Sequence, residues 1–243
     1  MLLRLYQVLL YLIQPLIWLR LLLRSRKAPA YRKRWGERYG FCRGKVAPHG
    51  ILLHSVSVGE TLAAVPLVRA LRHHYPDLPI TVTTMTPTGS ERVRSAFGDD
   101  VYHVYLPYDL PGSVNRFLTT VDPKLVIIME TELWPNLISQ LYRRKIPLII
   151  ANARLSERSA AGYQKLGSFV KTMLRKITLI AAQNQEDGER FIALGLKRSH
   201  LHITGSLKFD ISVTPELAAK AVALRRQWAA HRPVWIATST HEG

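Results

Sequence analysis

The sequence predicts an α/β fold built on a parallel sheet, and three observations carry that reading. From Gly50 onward, short apolar runs alternate with helix-length amphipathic segments, the pattern of strands joined by single crossover helices. The first run, Ile51-Leu52-Leu53, holds no polar residue, as suits a strand covered on both faces. Polar residues recur just past the end of each run, at 54–60, 83–88, 130–132, 152–154, 183 and 205–208, the edge where open α/β sheets bind ligands.

The elements follow in order. After the strand opening at Ile51, the small residues Ser55, Ser57 and Gly59 suit a tight turn, and Glu60 opens a helix. Strands are then expected over 78–84, 101–106, 124–129, 147–151 and 177–182, with helices over 88–97, 111–120, 133–144 and, as one long basic helix, 156–175. From Thr214 the pattern changes to an Ala-rich helix over 218–228 and a new strand over 233–237. That last strand reads as the start of a second unit, since a strand with no sheet beside it buries neither face. The domains expected are 1–24, a membrane anchor; 25–49, a basic juxtamembrane connector; 50–212, a Rossmann-like domain; and 213–243, the beginning of a further domain.

The formal charge of +17 is concentrated at the amino terminus, where residues 1–45 hold eleven Lys or Arg against the single acid Glu37. Beside them lies an apolar stretch, Leu5–Leu19, broken only by Gln7 and Gln14. It is short for a membrane span of ~20 residues, and Pro15 would kink it. It either spans with snorkelling arginines or lies in the interface with Tyr6, Tyr11 and Trp18 at headgroup level. The basic residues that follow place the body of the protein on the cytoplasmic side, drawn to anionic lipid. Tyr31, Trp35 and Tyr39 sit among cations in the connector; RNA could use the same pattern, but an interfacial belt is the favoured reading, with no nucleic-acid partner expected. One cysteine, Cys42, excludes an intramolecular disulfide framework. No G-x-G-x-x-G follows the first strand, no Walker loop occurs, and the nine histidines, His73 and His74 included, show no metal-ligand spacing.

Two acids and one cation stand out on the polar edge. A helix amino terminus favours an ionised carboxylate at Glu60, although acids are common at such positions for stability alone. Glu130 directly follows the run Leu125–Met129, where a carboxylate needs a partner. Lys208, in the small-residue turn T-G-S-L-K-F-D, is placed to meet it. Together they suggest an acid/base site with electrostatic support.

These same residues carry a family resemblance. H-S-V-S-V-G-E-T at 54–61, T-T-M-T-P-T-G at 83–89, M-E-T-E-L-W-P-N at 129–136, N-A-R-L-S at 152–156, T-G-S-L-K-F-D at 204–210 and A-T-S-T-H-E-G at 237–243 resemble the 3-deoxy-D-manno-octulosonic acid (Kdo) transferases, inner-membrane glycosyltransferases of lipopolysaccharide synthesis in Gram-negative bacteria. The resemblance implies a GT-B type enzyme of two Rossmann-like halves, of which this chain holds the acceptor half and only the start of the donor half. It implies transfer of Kdo from the nucleotide sugar CMP-Kdo to a sugar hydroxyl of a lipid A precursor, with no metal or other cofactor. It implies that Glu60 is the general base and that Glu130 and Lys208 stabilise the transition state. Ser57, Gly59 and Arg154 are candidate substrate-binding residues. The 243 residues alone are expected to be inactive. The alternative is a non-catalytic membrane-surface module that binds anionic lipid headgroups.

Overall fold

The computed structural model describes residues 2–44, 46–210, 215–228, 231–236 and 238. The chain divides into two compact units, Met1–Phe209 and Asp210–Gly243. The first contains one seven-stranded sheet in the order β3-β2-β1-β4-β5-β6-β7. Its strands are β1 (Ile51–His54), β2 (Ile80–Thr84), β3 (Tyr102–Tyr105), β4 (Leu125–Met129), β5 (Leu148–Ala153), β6 (Leu179–Ala182) and β7 (Leu201–Ile203). Every pairing is parallel. The order reverses at β1, which lies between β2 and β4 with His54 beside Thr83 and Ile128. Ligand sites in open α/β sheets form just beyond such a switch point.

The crossover helices are α3 (Val58–His74), α4 (Pro87–Phe97), α5 (Pro111–Val121), α6 (Pro135–Arg143), the pair α7 (Glu157–Gln164) and α8 (Ser168–Leu174), and α9 (Gln185–Ala193). All six strands expected over 50–182 are present. Two differences concern the far edge. The expected single helix over 156–175 is broken at Gly167, whose φ of +47° takes the backbone out of the helical region at a residue that tolerates it. The strand β7 and the helix α9 were not anticipated.

Side chains alternate along the strands and build a core on each face. Leu52, Val126, Ile128, Leu148, Ile150 and Ile180 pack with Phe117, Leu137, Ile138, Leu174 and Phe191 from α5, α6, α8 and α9. On the opposite face Ile51, Leu53, Val82, Ile127 and Met129 pack with Ala63, Ala64, Val68, Val93 and Phe97 from α3 and α4. Gly50 enters β1 where a Cβ would fall 1.9 Å from the Pro79 carbonyl oxygen, so only glycine lets β1 and the start of β2 approach this closely.

The amino-terminal stretch forms two helices, α1 (Leu2–Leu12) and α2 (Gln14–Lys27), bent by 46° at the break expected near Pro15. No single helix among the described residues is long and apolar enough to cross a membrane, although the bent pair together would pass by length and composition. The two glutamines that interrupt the apolar run face the protein. Gln7 Nε2 donates to Asn136 Oδ1 at 2.6 Å, and Gln14 Oε1 accepts from the Tyr39 hydroxyl at 2.9 Å. The Tyr6 hydroxyl donates to Asp109 Oδ2 at 3.1 Å. Asp109 in turn accepts the N–H groups of Asn136 and Leu137 at 2.8 Å each, capping the start of α6. Burial pushes the Asp109 carboxyl up to about 6. Leu5, Val8, Leu9, Leu12, Leu16, Leu19, Leu22 and Leu23 remain exposed, an apolar surface larger than scattered single residues explain.

Part of the connector, expected as an interfacial belt, is docked against the free edge of β3. Glu37 and Arg38 are 3% and 2% exposed. Glu37 pairs with Arg34 at 2.7 Å and accepts the Tyr105 N–H at 3.0 Å, closing the free edge of β3. The guanidinium groups of Arg34 and Arg38 both lie 4.4 Å from the centre of the Tyr105 ring, a cation–π sandwich. Trp35 Nε1 donates to the Tyr31 carbonyl at 2.6 Å. Arg34, Arg38 and Trp35 are thus engaged within the protein, whereas Arg26, Lys27, Arg32, Lys33 and Arg43 stay exposed.

In the second unit, α10 spans Pro215–Gln227 and buries no residue. The strand expected over 233–237 is absent across the described residues Pro233–Ile236; Ala237 lies outside the described residues.

Candidate active site

The site is built on the turn between β1 and α3. Ser57 is the N-cap of α3, its Oγ accepting the Glu60 N–H at 3.2 Å. Glu60 Oε2 reaches back to the Val56 N–H at 2.7 Å, a reciprocal arrangement close to a capping box. The turn is locked from beneath: Ser55 Oγ lies 2.9 Å from Thr61 Oγ1, which donates to the Ser57 carbonyl. His54 Nδ1 lies 2.9 Å from Thr83 Oγ1, and burial lowers the imidazole to about 4, leaving it neutral. The serines, His54 and Thr61 of this turn thus have structural work that leaves Glu60 as its one acid.

The N-terminal field of α3 was expected to hold Glu60 readily ionised. Instead the residue is only 8% exposed, and desolvation raises its pKa against the Val56 and Ser57 hydrogen bonds that lower it, with Glu130 raising it further. Burial outweighs the favourable donors. A raised carboxylate is a stronger base once ionised, which suits proton abstraction.

Glu130 and Glu132 follow β4, the neighbour of β1. Glu130 adopts φ +57°, an uncommon conformation for a residue with a Cβ, and donates its N–H to the Ala151 carbonyl at 2.8 Å. Glu132 was noted on this edge but not singled out from sequence. Burial, then the charges of Glu60 and Glu130, push its carboxyl up to about 7. The signal available was its position two residues past Glu130, on the same turn. The three carboxylates therefore share one rim.

The other expected residues fall on this edge with different degrees of engagement. Thr131 Oγ1 bonds the Arg154 carbonyl and accepts its N–H at 3.3 Å, tying the N-A-R-L-S turn to the E-T-E turn, while the Arg154 side chain is exposed. Ser57 and Gly59 are exposed on the same rim, with Ser57 engaged as the cap. Lys208 makes no ion pair with Glu130 or Glu60 among the described residues. It is exposed in the short turn Leu207–Asp210. That turn is fixed to β5 by Asn152, 2% exposed at φ +54°, whose Oδ1 accepts the Leu207 N–H at 3.1 Å. Among the described residues no group of three or more His, Cys, Asp or Glu is arranged to hold a metal ion.

The sequence profile described as 3-Deoxy-D-manno-octulosonic-acid transferase (kdotransferase) matches residues 33–211. The chain belongs to the Kdo transferase family. A 3-deoxy-D-manno-octulosonic acid transferase of Haemophilus influenzae is 53% identical over 240 residues, covering 98% of this chain and 56% of that protein. One from Bordetella pertussis is 35% identical, covering 94% of this chain and 54% of its own length. A probable mitochondrial Kdo transferase of Arabidopsis thaliana is 35% identical, covering 99% and 55%. This Kdo transferase chain therefore spans about half the length of the curated relatives it matches. Among solved structures, UDP-GlcNAc 2-epimerase from Neisseria meningitidis superposes with a TM-score of 0.50 at 13% identity, covering 74% of this chain and 51% of that one. Anabaena Alr3699/HepE in complex with UDP and glucose gives 0.50 at 14% identity, covering 74% and 50%. At such identities these likenesses concern the fold, which is the GT-B-like Rossmann arrangement.

Proposed function

We propose that the chain is the acceptor-binding half of a glycosyltransferase that moves Kdo from CMP-Kdo to a sugar hydroxyl of a lipid A precursor. Family membership supports the transferred sugar, and Glu60 supports the chemistry. In this reading Glu60 takes the proton of the acceptor hydroxyl as that oxygen bonds to the anomeric carbon of Kdo, and the bond from that carbon to the CMP phosphate oxygen breaks. Glu130 and Lys208 stabilise the charge that develops, Lys208 by offsetting the Kdo carboxylate or the departing phosphate. Arg154, Ser57 and Gly59 border the acceptor. Neither a metal nor another cofactor takes part, so chelators should leave the rate unchanged.

The exposed apolar side of α1 and α2 supports membrane attachment by helices lying in the interface, with Gln7 and Gln14 turned to the protein. In a Gram-negative cell this would be the cytoplasmic face of the inner membrane, with basic residues drawn to anionic lipid. The observation that carries the proposal is the buried Glu60 carboxylate, held by the Val56 N–H on the rim of the switch point. Kdo transfer by a version holding both halves tests it: Glu60→Ala should abolish transfer while vesicle binding is unchanged, and retained transfer would refute it.

A further inference from the structure

A cavity of about 380 Å³ lies beside the carboxylate rim, between α1, the loop 131–135 and the α7–α8 pair. That volume is at the small end of ligand pockets, which run ~300–1,000 Å³, so it suits a single chain rather than a whole lipid. Its walls are Tyr6, Trp134, Leu166, Phe169, Val170 and Met173, and Glu132 borders it. Glu132 is also the residue whose carboxyl feels the charges of Glu60 and Glu130, so one side chain belongs to both the cavity and the rim. Beyond Glu132 and Thr131, the side chains that line it are apolar or aromatic.

The opposite wall identifies the kind of ligand. Tyr6 belongs to α1, and Leu2 and Leu9, one turn to either side of it on the same helical face, are 42% and 54% exposed. Leu166 on the facing wall is 46% exposed. The cavity is therefore lined on one side by the helix that offers its apolar surface outward, and on the other by an exposed leucine.

We propose that this cavity holds one acyl chain of the acceptor lipid, so that the attached sugar is presented to Glu60 on the carboxylate side. The inference rests on the proposed function for the identity of the acceptor, but its test does not depend on transfer.

The protein in phosphatidylcholine nanodiscs is photolabelled with a diazirine-bearing fatty acid, and adducts are mapped by mass spectrometry. Adducts are expected on residues 163–173 as well as on the exposed face of α1 and α2. Leu166→Trp, which fills the cavity from its exposed rim, should lower labelling of 163–173 by about tenfold and leave α1–α2 labelling unchanged as an internal control. An N-acylated glucosamine should compete for 163–173, and unacylated glucosamine should not. Adducts confined to α1–α2, or labelling of 163–173 indifferent to Leu166→Trp, would overturn the pocket; labelling that the acylated sugar fails to displace would overturn the acceptor as its occupant. Glu60→Ala should leave all labelling unchanged, so loss of transfer and loss of chain binding are read separately.

Discussion

Oε2 of Glu60 accepts the main-chain N–H of Val56 at 2.7 Å, so the acid on the first turn of α3 is folded back over the turn that precedes it. The same carboxylate closes the β1–α3 connection and stands on the rim of the switch point, and its two duties can be separated by experiment.

Ser57→Ala removes the N-cap that accepts the Glu60 N–H at 3.2 Å. Loss of such a cap costs ~1 kcal/mol. Urea unfolding should show a lower midpoint with an unchanged slope. Ser57→Asp, which restores an acceptor at the N-cap, should recover most of the loss.

Glu37 is 3% exposed and holds both Arg34 and the Tyr105 N–H. Glu37→Ala leaves a guanidinium and an edge-strand donor without their acceptor, a change that costs ~3–5 kcal/mol when a buried pair is broken. Thermal unfolding should fall by many degrees, and protease cleavage within 28–44 should accelerate. Unchanged stability would mean that the connector is a surface segment after all.

Glu132 has its carboxyl raised from 4.5 to about 7 by burial and by two neighbouring carboxylates. An acid whose pKa is higher in the folded than in the unfolded state binds its proton more tightly when folded. Its contribution is therefore fully present below pH 4.5, is lost as pH rises through about 7, and is constant above that. Glu132→Gln should flatten this fall and make the variant more stable than the parent at alkaline pH. Thermal melts across the pH range check it, and a parallel decline in both proteins would contradict it.

The fold was legible because each strand buried on both faces reads as an apolar run, and the polar turns mark one edge. The missed elements lack that contrast. Leu201–Ile203 is a three-residue edge strand of which His202 and Ile203 are exposed, and the break at Gly167 is one glycine in an otherwise helical stretch. In the amino-terminal region, composition does not show that two of the eleven cations, Arg34 and Arg38, are held by Glu37 and Tyr105. Glu60 and Glu130 could be placed on a common rim from topology alone. That Glu60 is desolvated follows from packing among segments distant in sequence, which no local pattern records, whereas the place of Glu132 beside Glu130 was open to view.

The most direct test of the central claim is the pH dependence of Kdo transfer by a version holding both halves, with and without Glu60. A base of raised pKa predicts an acid limb whose apparent pKa lies above the ordinary glutamate value of 4.5. Glu130→Gln should shift that limb to lower pH by removing the neighbouring negative charge that raises Glu60, and Glu60→Gln should lower the rate by ~10²–10⁴-fold. A rate that is flat down to pH 4.5, or a Glu60→Gln variant within about tenfold of the parent, would contradict it.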